Sequence, residues 1–161
     1  MVSFLIVLGS IFGALFLAVF LLKRRLGILG LALAAGSILA TLWVGSLTPV
    51  VAEAGIVIIR PPLSSLVAAT LILLPAFLLF FSGASVKGKV QRSMSALIFS
   101  ALAIAFLLDS LGSALVIDTT SKPIYDSLVE YKPIIITVGL ALSLLDLIVG
   151  KKIWRERDSK H

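Results

Sequence analysis

The chain of 161 residues has no cysteine and no asparagine, and its one histidine, His161, is the last residue. Without cysteine there are no disulfides, thiolate metal sites or thiol nucleophiles. Without an internal histidine, zinc hydrolysis and histidine-based nucleophilic catalysis lose their usual ligand and base. Charge is scarce too, at 14% of residues against about 25% in soluble domains. In its place, 60% of the chain is hydrophobic, where roughly 45–50% is ordinary. A soluble domain of about 150 residues still exposes roughly 30% of its unfolded-chain surface and cannot hide so much apolar side chain. Disorder needs low hydrophobicity and is excluded by the same figures. The composition reads as an all-α, polytopic membrane protein whose first partner is the lipid bilayer.

Five apolar runs approach the length of about 20 residues that a helix needs to cross a bilayer: Ser3–Leu22, Leu26–Ser46, Leu63–Ser82, Met94–Ser113 and Pro133–Gly150. The last is the shortest and reads as a steep or partly interfacial helix. The charges lie mainly between the runs. Lys23, Arg24 and Arg25 follow the first, and Glu53 and Arg60 balance after the second. Lys87, Lys89 and Arg92 follow the third, and a slightly acidic connection with Asp118, Lys122, Asp126, Glu130 and Lys132 follows the fourth. Basic residues dominate the tail from Lys151 to His161. Lys and Arg collect in cytoplasmic loops. All three basic clusters share one face only with five spans, the N-terminus outside and the C-terminus inside. The net charge of +6 therefore orients the chain and calls for no nucleic acid. Residues 1–150 read as one transmembrane bundle and 151–161 as a short charged cytoplasmic tail. Signal peptides carry basic residues before their apolar stretch, whereas Met1-Val2-Ser3 is neutral.

Thr48-Pro49 looks like the cap and first turn of a short interfacial helix, broken by Arg60-Pro61-Pro62. Ser121-Lys122-Pro123 precedes Ile124, Leu128 and Tyr131, spaced by four and three. That pattern fits a half-buried helix on the outer surface or, equally, an apolar loop closing over the bundle. Trp43, Trp154, Tyr125 and Tyr131 occupy belt positions near the membrane surfaces.

Small residues let helices approach closely in lipid. They crowd the second run, including Gly27, Gly30 and Gly36, which makes it the expected central helix; Gly9 and Gly13, with Ala101 and Ala105, add further packing pairs. Pro75 removes a backbone bond to Leu71 and is expected to bend the third helix, among neighbours that offer a substrate no polar group.

Asp109 and Asp146 are the carboxylates inside apolar runs, and such residues are functional candidates by default. At about 1.5 Å per residue Asp109 lies about 22 Å from Met94, in the outer leaflet, where Arg60 offers a partner. Asp146 lies roughly 6 Å from Gly150, within reach of headgroup water, Lys151 or Lys152. A depth difference of about 15 Å does not suit an acid–base dyad, whose carboxylates must share a proton. Both read as interfacial, partnered acids. The alternative is a small transporter or channel subunit, with the two aspartates joined by Ser100, Ser113, Thr137 and Ser143.

Size and hydrophobicity are similar to those of lipoprotein signal peptidases, but the asparagine-containing motifs of that family have no counterpart here. With no phosphate loop either, the chain reads as non-enzymatic, with no catalytic residue, cofactor or metal. From Lys23 to about Asp126 it resembles the colicin V production protein (CvpA) family of bacterial inner-membrane proteins. Arg25-Leu26-Gly27 entering a small-residue helix, the stretch Pro49–Ile59, the helix Leu63–Ser82, and Gln91-Arg92 entering Ser95–Leu108 carry the resemblance, with Asp109 at the acidic position that ends that helix. Gln91 stands where the family has aspartate. The resemblance implies a multi-pass protein of the bacterial cytoplasmic membrane, linked to toxin production or export or to envelope homeostasis. A chain with no visible site would work through a membrane-protein partner or a second copy of itself.

Overall fold

The computed structural model describes residues 4–22, 25–55, 62–82, 88–115, 117, 119 and 121–158, with backbone alone at 80–82, 89 and 150–158. It is all helix among these residues: α1 (Phe4–Leu22), α2 (Leu26–Glu53), α3 (Leu63–Ser82), α4 (Lys89–Ala114) and α5 (Lys122–Asp158). Four helices are long and apolar enough to cross a membrane, and α3 contributes a shorter apolar stretch, Leu63–Leu79.

The helix ends follow local backbone chemistry. Arg25 and Gly88 are extended before α2 and α4. Gly55, at a φ of 85°, closes the end of α2, a left-handed conformation that costs glycine no Cβ strain. Leu115 is extended after α4.

Two connections differ from the sequence reading. No separate helix starts at Thr48. α2 runs through Pro49, and Thr48 Oγ1 donates to the Val44 carbonyl at 2.7 Å instead of capping. The carbonyl that Pro49 leaves without a donor is that of Gly45, an exposed residue, so the ring fits without an internal loss. Likewise the outer stretch from Ile124 to Tyr131 and the fifth run are one helix, α5, with Pro133 inside it. Pro133 faces the carbonyl of Val129, again an exposed residue. The apolar stretch of α5 is therefore Lys122–Val149, 28 residues, longer than the run that the sequence marks. Its backbone also continues through the boundary at 150 to Asp158.

α4, rather than α2, is the central helix: it packs against α1, α2, α3 and α5, whereas α2 packs against α3, α4 and α5. The reason lies in its girth. Small Ser95, Ala96, Ser100, Ala103 and Ala105 are buried all round it, with Phe99, Leu102, Leu107 and Leu108 filling the gaps. The core joins these to Leu29 and Leu33 of α2 and to Ile72 and Ala76 of α3.

Glycines of α2 set its two closest approaches. A Cβ on Gly27 would lie 2.6 Å from the Ser143 carbonyl, and one on Gly30 would lie 2.8 Å from Ser143 Cβ, so α5 rides on this face. A Cβ on Gly36 would lie 2.8 Å from the Leu71 carbonyl oxygen of α3. The Ile72 carbonyl lies nearer still, and the Leu71 carbonyl beside it is the one that Pro75 deprives of its amide. By contrast, Gly9 and Gly13 meet nothing within 4 Å. That pair makes no close approach within the chain, and Gly9 borders an open crevice beside α4.

The outer surface between the helix ends is apolar. Ile6, Leu17, Ile38, Leu42, Leu74, Phe77, Leu78, Leu97, Val138 and Leu145 are all exposed. Contiguous apolar surface of this kind marks contact with lipid or protein.

Candidate functional site

Charged side chains gather in two layers at opposite ends of the bundle. At one end, α1 finishes and α2 and α4 begin. The last turn of α1 leaves carbonyls without amide partners, and the first turn of α2 leaves amides without acceptors. Neither has a local remedy, since the Arg25 side chain forms no cap bond. Both are met from other helices. Arg92 Nη2 of α4 donates to the Phe20 carbonyl at 2.5 Å, and its guanidinium lies 4.7 Å from the centre of the Phe20 ring. Asp146 Oδ2 of α5 accepts from the Gly27 amide at 3.0 Å. A cation thus closes a helix C-terminus and an anion closes a helix N-terminus, the signs that the helix dipole favours.

The acceptor role of Asp146 is filled by a backbone amide, and the side chains of Lys151 and Lys152 lie outside the described residues. Replacing Asp146 by alanine is expected to destabilise the fold by about 1 kcal/mol, the usual value of a lost cap. Thermal unfolding of the detergent-solubilised variant measures this, with Asp146→Asn expected to retain part of the loss because its amide oxygen still accepts.

At the far end, α4 finishes and α3 and α5 begin. Lys132 Nζ pairs with Asp109 Oδ2 at 2.5 Å. Ser65 and Ser113 hydroxyls bond at 2.8 Å between α3 and α4, and Phe4 meets Tyr125 edge-on with ring centres 5.7 Å apart. A Cβ on Gly112 would lie 2.8 Å from Tyr125 Cζ. Tyr125 is thus packed between α1 and α4, while Tyr131 and Trp43 are exposed. Arg60, the expected partner of Asp109, lies outside the described residues, and Lys132 takes that place. The sequence signal was present: Lys132 immediately precedes the fifth apolar run. It becomes a neighbour of α4 only because α5 continues unbroken through it.

The two layers are well separated. Arg92 and Asp109 are about 26 Å apart along α4, and Lys132 and Asp146 about 21 Å apart along α5, at about 1.5 Å per residue. The aspartates are therefore further apart than the sequence spacing suggested, and no dyad forms. The hydroxyls named as a path between them bond locally. Ser100 donates to the Ala96 carbonyl, Ser143 to the Gly139 carbonyl, Thr137 to the Pro133 carbonyl and Ser113 to the Asp109 carbonyl. Pro75 lies inside α3 near its contact with α2 and lines none of these polar groups. No cluster of acidic residues, histidine or cysteine suited to a metal occurs among the described residues.

Two crevices flank α4. One, of about 350 Å³, is apolar and lies between α1, α4 and α5, with Gly9, Phe12, Ala101, Ala105 and Leu128 on its wall. The other, of about 380 Å³, lies between α2, α3, α4 and α5 and contains the Asp109–Lys132 pair, with Ser37, Thr41 and Ser110. Compared with protein-family models, with curated proteins and with solved structures, the chain matches none.

Proposed function

We propose that this chain is a five-span protein of the bacterial cytoplasmic membrane, N-terminus outside and C-terminus inside, acting without catalysis through a membrane-protein partner or a second copy. The reading is that of a colicin V production protein-like factor in toxin export or envelope homeostasis. The observation that carries its membrane architecture is the pair of charged layers, about 21–26 Å apart along the helices. They bracket an apolar zone slightly thinner than the roughly 30 Å hydrocarbon core, a mismatch that snorkelling side chains absorb.

The contacts at the two ends support the reading of five crossings. α3 begins beside the end of α4, where Ser65 meets Ser113. α4 begins at the opposite end, where Arg92 meets Phe20, so α3 must travel the length of the bundle between them. Its apolar stretch Leu63–Leu79 is at the lower limit of about 17 residues for a span. The same contacts group the starts of α2 and α4 with the Asp146 end of α5; on this reading the three basic clusters of the sequence flank that end, and the positive-inside rule assigns it to the cytoplasm.

The absence of cysteine makes the topology directly measurable. Single variants Glu53→Cys and Asp126→Cys are expected to react with a membrane-impermeant maleimide in intact cells, and Gly88→Cys only after the membrane is opened. Labelling of Gly88→Cys in intact cells would refute the orientation. A photoreactive probe on Gly9→Cys tests the partner role, with a discrete protein adduct expected and adducts to lipid alone counting against it.

A further inference from the structure

The crevice among α2, α3, α4 and α5 holds the Asp109–Lys132 ion pair on its wall. Its volume of about 380 Å³ falls within the range of about 300–1,000 Å³ typical of ligand pockets. Its wall is graded along the bundle. Asp109, Ser110, Lys132 and Thr41 lie toward the far end with apolar Val44 and Ala68, and Phe106, Ile136 and Ile72 lie about one turn deeper, where Ser37 is the one polar neighbour. A recess charged at its mouth and largely apolar at its floor matches an amphipathic ligand entering from the membrane surface.

The charged pair at the mouth is incompletely matched. An ammonium offers three donors and a carboxylate two acceptor oxygens, yet among the described residues each group has only the other as partner, through Nζ and Oδ2. The Asp109 side chain is 73% exposed and that of Lys132 23%. Asp109 therefore presents its free acceptor outward, and Lys132 holds its remaining donors within the recess. The complementary ligand carries an N–H cation for Asp109, an anionic oxygen for Lys132 and a hydrocarbon chain for the floor.

We propose that this crevice binds a phospholipid with an ethanolamine headgroup, its ammonium on Asp109, its phosphate on Lys132 and the upper part of one acyl chain against Phe106, Ile136 and Ile72. The proposal rests on the membrane-embedded reading above. A choline headgroup has no N–H to donate to Asp109. A glycerol headgroup brings no cation and places a net anion beside the carboxylate.

The full chain, purified in detergent and stripped of lipid, is titrated with phosphatidylethanolamine, phosphatidylcholine and phosphatidylglycerol, and bound lipid is counted by native mass spectrometry. The unaltered protein is expected to retain the ethanolamine lipid about tenfold better than either other lipid, the discrimination that about 1.4 kcal/mol of headgroup contact gives. Asp109→Asn and Lys132→Met are each expected to erase that preference. Soluble phosphoethanolamine, lacking the chain, is expected not to displace the lipid. Equal retention of the three lipids by the unaltered protein overturns the proposal without reliance on any variant's folding. A preference that survives Asp109→Asn overturns it as well, and displacement by soluble phosphoethanolamine overturns the assignment to a lipid. Alkaline carbonate extraction separates these results from failure of the membrane reading, which would appear as release of the chain from the membrane.

Discussion

Gly36→Leu is expected to force α2 away from α3 and to be the most damaging glycine substitution in the chain. Even the first added carbon would lie 2.8 Å from the Leu71 oxygen and 2.8 Å from the Ile72 carbonyl carbon. Both neighbours are backbone, so neither can rotate aside as a side chain would. Overpacking of this kind costs about 1–3 kcal/mol and more where the backbone must move. The loss extends beyond the clash, because separating the helices also uncovers the Leu71 carbonyl that Pro75 leaves without its amide. Thermal unfolding in detergent should show a fall on the order of 10 °C, taking about 2–4 °C per kcal/mol for a chain of this size. Gly9→Leu provides the contrast. It meets nothing within 4 Å and should leave the transition nearly unchanged. Equal effects at the two positions would refute the close approach of α2 and α3.

Arg92→Ala is the second large effect. The guanidinium donates to the Phe20 carbonyl and lies over the Phe20 ring, so its removal loses two interactions and opens the end of α1. A hydrogen bond to a charged group contributes about 1.5–3 kcal/mol, and a cation over an aromatic face about 0.5–1 kcal/mol. Together they predict a loss of about 2–4 kcal/mol, read as a lower unfolding temperature. Arg92→Lys should recover only part of it, since an ammonium keeps the charge but not the planar fork or the stacking face. A fully stable Arg92→Ala would show that the end of α1 needs no cap from α4.

Much of the architecture was legible because a bilayer imposes few but strict demands. Length and apolarity mark the helices from the first run to the fourth, and the basic triplet Lys23-Arg24-Arg25 marks the end of the first run. The prolines misled. Pro49 and Pro133 read as boundaries, yet each faces the carbonyl of an exposed residue, Gly45 or Val129, where a missing amide does not break the helix. The choice of central helix failed for a different reason. Glycine content pointed to α2, but glycines mark a close approach to one neighbour at a time, as Gly36 does with α3 and Gly30 with α5. The most extensive burial belongs to α4, whose buried small residues are serine and alanine.

The candidate site was half legible. Asp109, Asp146 and Arg92 stand out as charges within or beside apolar runs, but their partners do not. Asp146 is separated in sequence by 119 residues from the Gly27 amide that it accepts from, and Arg92 by 72 from the Phe20 carbonyl. Both partners are backbone groups, which carry no residue-type signal.

The sequence alone determined that the chain is helical and apolar, how long its runs are, and which connections carry basic charge, because hydropathy and charge are properties of residues taken singly. Only the tertiary structure decided that α4 is the centre, that α2 and α5 run unbroken through their prolines, and which charge closes which helix end. Lipid is as apolar as leucine, so an apolar residue facing the bilayer and one facing another helix look alike in sequence. Their difference exists only once the helices have met.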